Sequence, residues 1–412
     1  MKYIDELLKG HEVVWKPLGE VCEIKGRIGF RGYTRNDLVE QGEGAITLSP
    51  SNIINQQLSF ENCSYISWAK YEESPEIKVE PYDVIFTKTA SVGKTALVKT
   101  LPHEATINPQ LVLLKRIKCK PAYLAYILQN DSFQQSVKQL TGQGSVPNVS
   151  QSALAKILIP LPPLSVQEEI VRILDKFTTL EAELEAELDC RKRQYEYYRN
   201  QLLSFDMLNR GGQRLNNVIL IPLGNIGEVC MCKRILKQQT SEKGDVPFYK
   251  IGTFGKVPNS FISKELFYKY KEKYNYPVTG EVLISASGTI GRAVIYDGKE
   301  AYFQDSNIVW IKNDESQVLN KYLYYYYQIA KWNVAEGGTI QRLYNDNLRK
   351  TLIPIPYPSD RQKSLAEQHR IVSILDKFDT LTTSISEGLP KEIEFRRKQY
   401  EYYREQLLSF RH

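Results

Sequence analysis

Five stretches of this 412-residue chain carry residue types that could do chemistry, and each falls short of a working site. Ser91-Val92-Gly93-Lys94-Thr95 has the ending of a phosphate-binding loop, where backbone N–H groups and a lysine cradle a nucleotide. The full pattern needs glycine where Lys88 stands, and a second, related run at residues 289–293 reads TIGRA. A turn between strands, with Lys94 or Arg292 facing outward, is the expectation. Asn108-Pro109-Gln110 has the first two residues of the Asn-Pro-Pro-aromatic motif of amino-methyltransferases but lacks the second proline and the aromatic. Glu23-Ile24-Lys25 and Glu76-Ile77-Lys78 match the short Glu-x-Lys half of some nuclease sites, a triplet common by chance. The histidines (His11, His103, His369, His412) are scattered and no cysteine pair has CxxC spacing, so neither a nucleophilic triad nor a zinc site is expected. The chain reads as having no catalytic residue, no metal and no cofactor of its own.

Polar loops are the stronger signal. KGRIGFRGYTR (25–35) sets Lys25, Arg27, Arg31 and Arg35 among glycines and two aromatics. CKRILKQQTSEKGD (232–245) presents Lys233, Arg234, Lys237, Gln238 and Gln239. Further on, GQGSVPN (142–148) offers Gln143, Ser145 and Asn148, and GGTIQR (337–342) offers Thr339, Gln341 and Arg342. Arginine pairs with guanine edges, asparagine and glutamine with adenine, and lysine holds phosphate. Any one of these residues is more often a solvated loop side chain. The set, repeated at matching places with Lys88, Lys94 and Arg292 beside it, points to nucleic acid.

The elements that must position these loops occur twice. QYEYYRNQLLSF (194–205) returns as QYEYYREQLLSF (399–410), and QEEIVRILDKFTTL (167–180) as QHRIVSILDKFDTL (368–381). A proline-rich strip precedes each: ILIPLPPL (157–164) and LIPIPYP (352–358). DVIFTKTASVGKT aligns with EVLISASGTIGRA, and KPLGEVCEI resembles IPLGNIGEVC. The duplication predicts two related globular units, residues 1–160 and 213–358, each followed by a long helix, residues 161–212 and 359–412. Short β-like runs (DVIFT, LVLLKRI, VLISA, NIVWIK) between turns, with helical patterns at 121–130 and 320–329, predict a mixed α+β unit.

In the first helix Ile170, Leu174, Phe177, Leu184, Leu188, Tyr195, Tyr198, Leu202 and Phe205 fall on a heptad seam. The second follows Ile371, Leu375, Phe378, Ile385, Leu389, Ile393, Tyr400, Tyr403, Leu407 and Phe410, with four extra residues and a break expected at Gly388–Pro390. Packed along their seams the helices must run antiparallel, giving a pseudo-two-fold dumbbell: two globular heads on a coiled-coil rod. Its exposed apolar and tyrosine-rich flank predicts self-association when the chain is alone. Fifty-four Lys and Arg against forty-eight Asp and Glu leave +6, a weak pull towards polyanions. No run of eighteen apolar residues and no signal-peptide core is present, so a cytoplasmic protein with reduced thiols and no membrane partner is expected.

The repeated proline-rich strip, the ILDKF helix start and the QYEYYRxQLLSF helix end together resemble the specificity subunit of type I restriction-modification systems, over essentially all 412 residues. The resemblance implies that each unit is a target-recognition domain reading half of a bipartite site on double-stranded DNA. It implies that the repeated helices dock two methyltransferase subunits, which bring S-adenosylmethionine, and that restriction/translocase subunits complete the complex. Three rivals stand beside it: the recognition part of another multi-subunit restriction system, a self-contained nuclease or methyltransferase, and a coiled-coil scaffold between two protein-binding heads.

Overall fold

The structure, a computed structural model, describes residues 3–27, 29, 32–142, 146–204, 218–334, 341–384 and 386–410. The chain divides into two units: Met1–Leu184 with Ile393–His412, and Glu185–Glu392.

The first unit carries helices α1 (Tyr3–Leu8), α2 (Leu18–Val21), α3 (Trp68–Glu72), α4 (Pro121–Gln129), α5 (Asp131–Leu140), α6 (Gln151–Ala155) and the start of α7 (Leu164–Leu203). Its strands are β1 (Val14–Pro17), β2 (Glu23–Gly26), β3 (Leu38–Val39), β4 (Gly44–Leu48), β5 (Ile53–Ile54), β6 (Gln57–Leu58), β7 (Ser64–Ser67), β8 (Val84–Thr87), β9 (Thr95–Leu97), β10 (Ala105–Ile107), β11 (Leu111–Lys115) and β12 (Leu158–Leu161). Two four-stranded sheets, ordered β2-β11-β8-β9 and β10-β4-β7-β3, form the body, and the β1-β12 ribbon closes it.

Strands β8 and β11 are apolar at successive positions because both their faces are buried. Val84, Phe86, Val112 and Leu114 pack against Tyr123, Leu124, Leu128 and Phe133 of α4 and α5. Ile85, Leu111 and Leu113 point the other way, onto Ile46, Leu48 and Ile107 of the second sheet. The period-two alternation of a strand thus builds three layers: helices, sheet, sheet.

The second unit repeats this plan with β13 (Val218–Pro222), β14 (Val229–Met231), β15 (Val246–Tyr249), β16 (Phe261–Ile262), β17 (Val282–Ser285), β18 (Ala293–Ile295), β19 (Tyr302–Phe303), β20 (Ile308–Ile311) and β21 (Leu352–Pro356). Its helices are α8 (Lys264–Lys273), α9 (Asn320–Tyr327), α10 (Asn345–Lys350) and α11 (Arg361–Thr383); α12 (Leu389–Leu408) follows. The sheet β14-β20-β17-β18 matches β2-β11-β8-β9, and β19-β15-β16 matches β10-β4-β7, with β19 parallel to β15 as β10 is to β4. The mixed α+β expectation and the internal duplication therefore hold at the level of strand order and register.

The long helices are anchored to their units by the same side chains twice. Tyr123 donates to the Pro160 carbonyl and Tyr322 to the Pro354 carbonyl, each at 2.9 Å. The Gln167 side chain accepts from the Lys120 N–H at 3.0 Å, and Gln368 from the Leu319 N–H at 2.9 Å. In the first unit Leu174 and Leu407 are fully buried, Phe177 stacks on Tyr403 at 5.2 Å, and Glu181 pairs with Arg397. These pairings make α7 and α12 antiparallel there, with Tyr400 packed on the same core. In the second unit Leu375 is fully buried and Phe378 stacks on Tyr198 at 5.5 Å, with Tyr195 and Leu202 beside it. Leu184 and Leu188 are half-buried. The expected break is present: the helix ends at Thr383 and restarts at Leu389, so Pro390 sits in a first turn, where a missing N–H costs nothing. Phe205 and Ile385 lie outside the described residues.

Candidate nucleic-acid interface

In each unit one glycine turn lies at the meeting point of three segments. Between β8 and β9 the Thr87 N–H donates to the Lys94 carbonyl at 2.9 Å and the Gly93 N–H to the Thr87 carbonyl at 3.0 Å. Gly93 has φ +99°, and a Cβ there would stand 2.1 Å from the Gln134 side-chain oxygen. Only glycine fits both conditions. The turn is stitched to its neighbours by the Lys88 N–H to the Gln110 carbonyl and the Val149 N–H to the Lys88 carbonyl, both 2.9 Å. Thr89 donates to the Asn148 side chain at 2.8 Å.

The second unit builds the same joint with other side chains. Gly291 has φ +82°, and its Cβ would meet the Trp332 indole nitrogen at 2.2 Å. Ala286 N–H donates to the Asn307 carbonyl, Leu343 N–H to the Ala286 carbonyl, and Ser287 to the Asn307 side chain at 2.8 Å. Arg342 reaches Ser306 Oγ at 2.8 Å. Both turns join antiparallel strands instead of opening a helix, so neither has the geometry of a nucleotide phosphate loop.

The sequence-derived residues divide into three groups. Arg35, Asn148, Lys233, Arg234, Lys237, Gln238 and Gln341 are exposed, available to a large ligand. Arg234 shares its charge with Asp305 at 2.8 Å, and Lys25 with Glu23 at 3.0 Å. A second group is turned to internal work. Arg27 is 5% exposed, donating to the Ile107 carbonyl and Thr106 Oγ1 at 3.2 Å each and lying over the Tyr33 ring. Its burial lowers its pKa from the usual guanidinium range. The sequence marked it as a surface contact; the bond to β10 needs the cation inside. Arg292 is likewise not outward but half-buried, donating to the Phe254 carbonyl at 3.0 Å. Lys94 is exposed yet donates to the Pro50 carbonyl at 3.2 Å, and Lys88 is half-buried, its pKa lowered by desolvation. Arg31, Gln143, Ser145 and Thr339 lie outside the described residues.

In the Glu-x-Lys triplets, Glu23 pairs with Lys25 and Arg116, and Lys78 pairs with Glu72 at 2.6 Å. Cys22, Cys119 and Cys232 are pushed up to about 12 by burial, which leaves them poor nucleophiles at neutral pH. Among the described residues no three metal-ligating side chains converge, and no helix is long and apolar enough to cross a membrane. The sequence reading missed Gln110, Ser306 and Asn307, which hold the glycine turns. Their only sequence signal was position, one or two residues before a buried strand. What the arrangement offers is a rim of amide, hydroxyl and cationic groups on a rigid frame, suited to hydrogen bonding with phosphate and base edges.

Comparison with known proteins bears on that chemistry. The family model described as the type I restriction modification DNA specificity domain matches residues 11–189 and again 219–395. An inferred type I restriction enzyme specificity subunit of Haemophilus influenzae is 47% identical over 430 residues, spanning 99% of this chain and 98% of the relative. The EcoR124I/EcoR124II specificity subunit of Escherichia coli is 30% identical over 100% of this chain and 97% of its own. A solved chain from a study of type I restriction-modification assembly shares the fold, with a TM-score of 0.58 at 18% identity over 97% of this chain and 98% of that one.

Proposed function

This chain belongs to the type I restriction-modification DNA specificity family, and on that premise we propose that it is the non-catalytic DNA-reading subunit of a methyltransferase–endonuclease complex. Each unit reads one half of an asymmetric, bipartite site. The observation that carries this reading is a repeated frame with an unrepeated rim. The same glycine turn is tied by main-chain bonds to Gln110 and Val149 in one unit and to Asn307 and Leu343 in the other, whereas the side-chain bonds beside it differ, Thr89 to Asn148 in the first and Arg342 to Ser306 in the second. Equal frames with unequal polar groups suit two unlike half-sites.

The helices support a second element of the proposal, two identical docking sites for a methyltransferase subunit. Tyr197 and Tyr402 occupy the same place in the QYEYYR repeat and are 60% and 59% exposed. A duplicated aromatic that its own fold leaves in solvent is suited to anchor the same partner twice. S-adenosylmethionine would enter with that partner and restriction/translocase subunits would add cleavage, all in the cytoplasm. The boundaries 1–160, 161–212, 213–358 and 359–412 serve as the working division into recognition domains and helices.

The test is a map of N6-methyladenine in a host expressing the methyltransferase partner, with and without this gene. Loss of one motif, two short unlike halves around a fixed gap, is expected. An unchanged map would overturn the proposal.

A further inference from the structure

Helix α8 is the clearest departure of the second unit from the first. The aligned segment of the first unit forms α3, five residues ending in Glu72 and followed by Glu73. In the second unit it runs ten residues and carries Lys264, Lys269, Lys271 and Lys273 against Glu265 and Glu272. The neighbouring loop, residues 233–243, adds three lysines and an arginine against one glutamate. In a chain of net charge +6 these two segments hold most of the excess.

The lysines meet on one aromatic platform. Lys233 stands 5.2 Å from the centre of the Tyr274 ring and Lys273 6.0 Å from the same ring. Lys271 lies 5.0 Å from the Tyr276 ring and 5.4 Å from Phe267. Tyr270 links the rings, 5.4 Å from Tyr274 and 6.2 Å from Tyr302, and Tyr302 donates to the Lys233 carbonyl at 3.1 Å. Tyr274 is itself 37% exposed. Among the described residues no carboxylate comes within ion-pair distance of Lys233, Lys271 or Lys273. The first unit differs: Lys70 pairs with Glu73, Lys78 with Glu72 and Lys115 with Asp83.

The helix dipole explains basic residues in the last turn of α8. It does not explain Lys233, which another segment brings to the same ring. Ring faces attract each ammonium, yet three like charges gathered without an ion-paired carboxylate still repel. A polyanion spanning the platform removes that repulsion, and an exposed tyrosine between two lysines can pack on a sugar or base edge while the lysines hold phosphates.

We propose that the platform of Lys233, Lys271, Lys273 and Tyr274 is a phosphate-backbone clamp for duplex DNA, which makes the second unit the electrostatic anchor of the two. The inference rests on the DNA-reading function above and adds an asymmetry to it. Anchoring by the second unit is sequence-independent and salt-sensitive; the first unit contributes little to either.

The probe is a mixed-sequence duplex of about 30 base pairs, and the readout is the slope of log affinity against log salt for the full chain from about 50 to 200 mM. The triple variant K233Q/K271Q/K273Q should lose about 2 to 3 from that slope, since each phosphate neutralised contributes about 0.9. Replacing the same three lysines by arginine should keep the slope, and K70Q/K78Q should leave it unchanged. If the wild-type chain binds with a salt-dependent affinity and the triple glutamine variant keeps the full slope, the clamp is refuted while the DNA-reading function stands. An equal loss in K70Q/K78Q would refute the asymmetry. A wild-type chain that binds no duplex would overturn both.

Discussion

The paired anchors of the long helices permit a quantitative prediction, because one pair has a backup and the other does not. Tyr126 on α4 donates to Asp175 on α7 at 2.6 Å, and Tyr325 on α9 donates to Asp376 on α11 at the same distance. Burial, reinforced by the neighbouring carboxylate, pushes both phenols well up, so each stays a donor at any working pH. A hydrogen bond to a charged group contributes about 1.5–3 kcal/mol. Asp376 also holds the Lys321 ammonium at 2.7 Å, whereas no lysine or arginine among the described residues reaches Asp175. Tyr126→Phe leaves a half-buried carboxylate without its donor, a loss of about 2 kcal/mol. Tyr325→Phe leaves Asp376 its lysine, and the loss should be nearer 1 kcal/mol. Peptide-resolved hydrogen exchange converts these to local opening constants, about thirty-fold greater for α4 in the first variant and about five-fold for α9 in the second. Equal effects, or a larger effect in Tyr325→Phe, would refute the claim that the lysine supplies the compensation.

Three further outcomes follow from the same geometry. Arg27→Ala should lower the melting temperature through loss of the bonds to Ile107 and Thr106, with no change in the salt slope of DNA binding; a lowered slope at unchanged stability would put Arg27 back at the surface. Glu281, 4% exposed, has its pKa raised above 4.5 by burial, so its contribution to stability is full below that value and is lost as pH rises through the raised one. Melting curves of wild type and Glu281→Gln should therefore diverge in favour of the variant as pH climbs above 4.5, and a divergence confined to lower pH would contradict the sign. Deleting residues 384–387, between α11 and α12, should shorten the methylated motif's gap with both half-sites unchanged. An altered half-site in the methylation map would count against a spacer role.

Much of this molecule is legible in one dimension. The duplication, the mixed α+β units and the seam residues Leu174, Phe177, Leu375, Phe378, Tyr403 and Leu407 all emerge from periodicity and self-alignment. A buried strand or seam must be apolar wherever it packs, so burial writes itself into the order of residues. The glycines at 93 and 291 were marked by the same repeat, and the break before Leu389 by a glycine and a proline. These are local constraints, and local sequence records them.

Charge is different, because a cation's role depends on what the fold brings beside it. Arg27 and Arg35 share one basic loop, yet β10 draws the first into the interior and leaves the second in solvent. Lys25 and Lys233 begin equivalent loops. One is matched by Glu23 on its own strand, and the other stands over Tyr274, just past the end of α8 and about forty residues away. Sequence alone determined that there are two related units with basic, amide-rich rims. Only the tertiary structure decided which cations hold the frame and which face outward, since hydrogen bonds and ion pairs are made across space between segments whose order in the chain says nothing of their distance.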